Sequence, residues 1–201
     1  MSSPAEPTAL EITTAMREWL EKAVIGLNLC PFAKAVHVRK QIRYVVSEAQ
    51  TEAELAAELR TELLALQAAD PALVETTLLI HPRVLRDFGE FNNFHDEADA
   101  ALEELNLVGE IQVASFHPDF AFAGTEPDDI TNFTNRAPYP TLHLLREASV
   151  ERALEAYPEP EKIYEANLET MRRLGPEGWR QLWQKDGGGA SPSALPPETG
   201  H

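Results

Sequence analysis

Short apolar runs alternate with helical periodicity from residue 41 to residue 115, and this alternation limits the fold more than any other feature of the chain. Residues 41–47, with Ile42, Tyr44, Val45 and Val46, read as a first strand. Residues 51–69 read as a helix. Thr51 with Glu54 three positions on is a capping box, and Leu55, Leu59, Leu63 and Leu66 form one stripe. Residues 76–80 are a continuous apolar run, as expected of a central strand covered on both faces. Residues 88–105 read as a second helix and residues 110–115 as a third strand. Strands alternating with helices predict βαβ units, right-handed crossovers and a parallel sheet. The expected class is therefore α/β. One domain over residues 9–184 would carry a small, mostly parallel sheet of three to four strands, with helices packed on it.

The flanks add to this frame. Residues 10–27 place Ile12, Met16, Trp19, Leu20, Ala23, Val24 and Leu27 on one face of an amphipathic helix. Residues 141–145 offer a fourth strand, for which an edge position is the expectation. Residues 149–156 read as a short helix capped by Ser149. Residues 160–174 read as a longer one stopped by Gly175-Pro176, with Trp179, Leu182 and Trp183 in a last turn. Residues 1–8 and the Gly/Pro-rich residues 185–201 are expected to be disordered.

Charge and composition narrow the function. A formal net charge of −16 argues against a nucleic-acid binder, whose affinity comes from neutralising phosphates, and against docking on anionic lipid. The amino-terminal residues lack a basic segment followed by an apolar one. No apolar run approaches the roughly 18 residues that cross a membrane, so a cytoplasmic protein is expected. The single cysteine, Cys30, excludes an intramolecular disulfide and a Cys-rich zinc module. The glycines form no phosphate-binding loop, so no nucleotide cofactor is expected.

Residues 116–140 run about 24 positions without a helical or strand period, far beyond an ordinary connection. Phe116, Phe120, Phe122, Phe133 and Tyr139 are too many aromatics for a solvated linker, so a folded, functional loop is predicted. Two strands end alike, in His81-Pro82 and His117-Pro118, one βαβ repeat apart. In a parallel sheet both carboxyl ends lie on one edge, close enough to share a site even with a strand between them, and ligands of open α/β sheets bind there. The loop would bring Asp119, Asp128 and Asp129 to that edge, and the first strand ends in Ser47-Glu48, which adds a carboxylate. His81, His117 and Asp119 would suit a divalent transition metal, or metal-free acid–base work by an imidazole near neutral pH. Arg136 would clamp the anionic group of a small substrate, with Asn132 and Asn135 orienting it.

Each of these residues also has a purely structural reading. His-Pro at a strand end makes a turn. Asp128-Asp129 caps the segment that follows, and Arg136 ties the loop down. His95 and Asp99 share a helical face and suit either a two-ligand element or a solvated surface. Cys30, near a helix amino terminus, is either a thiol of lowered pKa or a small buried filler.

The strings NLCPFA, LIHP, FHPD and TNFTNRAPYPTLHLLRE together resemble a bacterial family catalogued as domain of unknown function 1415, over about residues 15–183. The resemblance implies a small single-domain protein and supplies no reaction. Three functions compete. The first is an enzyme with a His/Asp/Arg site at the strand carboxyl ends. The second is an adaptor presenting a patch of Phe120, Phe122 and Phe133. The third is thiol chemistry at Cys30, helped by His37 or Lys34.

Overall fold

The strand expected at an edge lies inside the sheet. The computed structural model describes residues 6–155 and 162–184. Its four strands are β1 (Ile42–Val46), β2 (Thr76–Ile80), β3 (Ile111–Phe116) and β4 (Thr141–Arg146), in the order β1-β2-β4-β3. β1 and β2 pair in parallel, whereas β4 runs antiparallel to both β2 and β3. The class is α/β as expected, but the sheet is mixed rather than mostly parallel. Thr141, Leu142, Leu144 and Leu145 are all buried, and a strand buried on both faces belongs in the middle. β1, β2 and β3 still point the same way, so their carboxyl ends share one edge.

Among the described residues seven α-helices cover the two faces. α1 (Ala9–Trp19) starts at Thr8, whose hydroxyl and the Glu11 carboxylate form a capping box. It runs on through a π-helical turn, Leu20–Ile25, and the chain turns away at Asn28 in the left-handed region (φ 55°). α2 (Ala33–Val38) leads into β1. α3 (Glu52–Ala68) has the expected capping box. Beyond its carboxyl end Arg146 Nη2 donates to the Leu66 and Ala69 carbonyls. The single helix expected over 88–105 is two, α4 (Phe88–Asn93) and α5 (His95–Glu104). They break at Phe94 (ψ −11°), after the weak helix formers Asn92 and Asn93. α6 (Glu147–Glu155) follows β4 directly, so Ser149 lies inside it rather than capping it and donates to the buried Glu75 carboxylate, which also pairs with Arg152.

α7 (Ile163–Trp183) is interrupted where Gly175-Pro176 predicts a stop: Gly175 has φ 66° and ψ 173°. That region is open essentially to glycine alone. Nothing lies within 4 Å of an added Cβ, so Gly175→Ala should cost about 1–3 kcal/mol from backbone strain alone, read as a lower urea midpoint. Of the stretches expected to be disordered, 1–8 and 185–201, residues 1–5 and 185–201 lie outside the described residues, as do the predicted helix ends at 156 and 160, whereas residues 6–8 are described and Thr8 caps α1. Glu6 pairs with Arg83, which ties the start of the described chain to the sheet edge.

Alternation along the strands makes two cores. Leu79, Leu142, Leu144 and Ile111 pack with the α3 stripe, Phe91 and Ala101 on one face. Leu78 and Ile80 pack with Met16, Trp19, Phe133 and Trp179 on the other.

Candidate active site at the strand carboxyl edge

Ile80 of β2 and Phe116 of β3 both register with Thr141 of β4. His81 and His117 therefore take equivalent positions on either side of β4, two strand spacings or about 9.6 Å apart. Both turn toward the layer formed by α3, α4 and α5, and both contact Phe91 of α4, with centroids at 5.5 Å and 5.1 Å. His95 meets the same ring edge-on at 5.8 Å and bonds Ser115 Oγ through Nε2. Asp99, its expected partner, is exposed.

The two strand-end imidazoles are sealed, at 1% and 0% exposure. His81 Nδ1 donates to the Val84 carbonyl at 2.9 Å, and its Nε2 is buried without a partner. Burial holds the His81 pKa down to about 4. His117 Nδ1 accepts the Asp119 N–H at 3.0 Å, so the proton sits on Nε2, which donates to the Leu85 carbonyl at 3.3 Å. Burial lowers its pKa as well, against the pull of Asp119. Both rings are thus neutral, and His117 has both nitrogens committed. Among the described residues no group of three or more His, Cys, Asp or Glu is placed to hold a metal ion, so the set His81, His117 and Asp119 is not assembled as ligands.

Open space lies one layer further out. A cleft of about 470 Å³ crosses the strand carboxyl edge, lined by Ser47 and Glu48 after β1, Pro82, Arg83 and Arg86 after β2, and Pro118 and Asp119 after β3, with Tyr139 from the long loop and Thr8 at the start of α1. Each proline follows a buried histidine and turns the chain out onto the rim. Arg83 and Arg86 were not among the expected site residues, although they directly follow the His81-Pro82 strand end. Arg83 makes one exposed pair with Glu6, at 3.2 Å, of a kind that contributes little. The exposed Arg86 guanidinium has no hydrogen bond or ion pair among the described residues. Burial, with Glu11 second, raises the Tyr139 pKa.

The long loop is folded by its own polar groups. Asn132 is fully buried: Oδ1 accepts from Phe122 N–H and Thr125 Oγ1, and Nδ2 donates to the Glu126 carbonyl. Arg136 donates to the Phe120 and Pro127 carbonyls and lies 4.2 Å over the Phe133 ring. Asp129 caps a short 3-10 turn, Ile130–Thr134, through Thr131. Asn135 Oδ1 accepts from Thr134, and Asp128 is exposed on the loop. Arg136, Asn132 and Asn135 hold the loop and lie outside the cleft lining. Phe133 is buried against Trp179, so the aromatic patch of the adaptor reading does not form. Cys30 lies on the opposite sheet face. Burial there raises its pKa despite the Phe32 and Ala33 N–H groups, and His37 pairs instead with Glu21 at 3.4 Å.

A family model described as Protein of unknown function (DUF1415) matches residues 11–181. The chain belongs to that family. No curated protein and no solved structure matches the chain. The DUF1415 match takes in both His-Pro strand ends, the two cleft arginines and the whole of the long loop; of the cleft lining, only residues 6–9 fall before it. Among the described residues of this DUF1415 chain no helix is long and apolar enough to cross a membrane.

Proposed function

We propose that this chain is an enzyme acting on a small anionic molecule held in the cleft at the carboxyl ends of β1, β2 and β3. The observation that carries the reading is that Arg83 and Arg86 both line that cleft, Arg86 without an ion-pair partner among the described residues, in a chain of net charge −16. A cation left without a carboxylate partner on so acidic a surface is available to an anion. The crevice beyond the strand carboxyl ends is also where open α/β sheets take ligands. Arg83 and Arg86 therefore take the anchoring role first read into Arg136. Asp119 and Glu48 face the same space and accept from the hydroxyl or amino groups of the ligand. Asp119 is the acid–base group in this reading. His117, which takes the Asp119 N–H, is a positioning residue, and His81 supports the floor through Phe91.

Calorimetric titration with inorganic phosphate and with citrate tests the anchor. Wild type should bind at least one of them, and Arg86→Gln should weaken it about ten- to a hundredfold, the value of a charged hydrogen bond. No heat with either probe, or equal affinity in Arg83→Gln/Arg86→Gln, would refute the site. Catalysis is tested separately by incubating the protein with a panel of phosphorylated and carboxylated small molecules. The expected result is one consumed by wild type and left intact by Asp119→Asn.

A further inference from the structure

The sheet face opposite the histidines holds a second hollow, a cavity of about 260 Å³, separate from the anion cleft. It lies between the turn after α1, α2 and α6, above β1, β2, β4 and β3. Trp19, Leu20, Phe32, Leu78, Phe116 and Leu145 form much of its wall, and none of the described residues lining it is charged. Its polar groups are few: Cys30, Gln112, Thr76 and His143.

Hydrogen bonding fixes what His143 offers. Thr76 Oγ1 has one proton and donates it to the Leu144 carbonyl at 2.6 Å. The 2.8 Å contact between Thr76 Oγ1 and His143 Nε2 must then be a donation from the ring. The proton is on Nε2, and Nδ1 carries a lone pair. Nδ1 makes no hydrogen bond among the described residues and is not sealed off by its neighbours, so it meets the open space that His143 lines. Burial holds the ring's pKa down to about 4, so Nδ1 stays an acceptor at neutral pH.

We propose that this cavity binds an uncharged, largely apolar small molecule with one hydroxyl or N–H group, which donates to His143 Nδ1 while its hydrocarbon part fills the space against Trp19, Leu78 and Phe116. An anion is disfavoured on two counts: no described cation lines the wall, and a carboxylate has no proton for Nδ1. Apolar cavities of about 150 Å³ take benzene, so this one suits a ligand of roughly ten heavy atoms.

The test uses 1-octanol, its isosteric ether 1-methoxyheptane, and octanoate as probes. The readout is the rate at which a maleimide alkylates Cys30, the single cysteine and part of the cavity wall. Octanol should slow alkylation saturably, with the ether about tenfold weaker for want of the hydrogen bond and octanoate weaker still. His143→Leu should bring alcohol and ether to equal affinity. Ala114→Leu, which fills the cavity from β3, should abolish protection by both. Lack of saturable protection by octanol, or alcohol and ether binding alike to the wild type, would overturn the proposal. So would octanoate binding most tightly. The comparison of probes on wild type holds even if a variant fails to fold.

Discussion

Lowering the pH from 7 to 4.5 should remove a large part of the folding free energy before the carboxylates contribute much. Burial holds both His81 and His143 at about 4, against an ordinary value of 6.5. The folded protein therefore binds fewer protons than the unfolded chain once the pH drops below about 6.5. Stability falls from there and levels off beneath pH 4, for a total of about 3 kcal/mol per imidazole. His117, lowered for the same reason, acts in the same direction. Two such losses are comparable with half the stability of an ordinary domain. Asp129, held low by the Thr131 N–H, works in a separate window, losing its contribution only as the pH falls below about 4. Urea midpoints at pH 7, 6, 5 and 4.5 should fall with a slope approaching two protons. A midpoint unchanged between pH 7 and 5 would mean that these rings are not held neutral by burial.

Arg136→Ala should destabilise the fold by about 2–4 kcal/mol and open the long loop to proteases. Arg136 is 8% exposed, and its guanidinium bonds the Phe120 and Pro127 carbonyls and covers the Phe133 ring. Desolvation lowers its pKa, and Asp119 and Asp128 offset only part of that cost. Truncation leaves the two carbonyls without their donor and the aromatic face bare. Lysine cannot repair this, because a single ammonium cannot reproduce the planar fork that reaches both carbonyls, so Arg136→Lys should recover little. Urea denaturation with limited proteolysis decides it. A variant as stable as wild type that loses only anion binding would return Arg136 to the substrate-clamp role.

Much of this architecture can be read from the residues, and the misreadings have physical causes. The Leu55, Leu59, Leu63 and Leu66 stripe and the Thr51–Glu54 box gave α3 closely, because local periodicity and capping decide a surface helix. The place of β4 was open to the same reasoning. Leu142, Leu144 and Leu145 with a single interrupting His143 make the near-continuous apolar run of a buried strand, the signature also read in β2. The shared edge of His81 and His117 follows from strand direction. Their burial does not, because it depends on Phe91, brought over them by a helix that breaks at Phe94. An arginine in a polar loop looks like a ligand anchor until the chain's own return supplies carbonyls, as Phe120 and Pro127 do for Arg136. Arg83 and Arg86 carried a signal in their position, three residues apart just beyond a strand end.

Amide chemical-shift mapping during a titration with inorganic phosphate tests the central claim most directly, since it locates the ligand without assuming a reaction. The shifts should centre on Ser47, Glu48, Arg83, Arg86, Asp119 and Tyr139, around the strand carboxyl edge. Shifts confined to α3 and α5 or to the cavity beside His143, or none at all, would contradict an anion site at that edge.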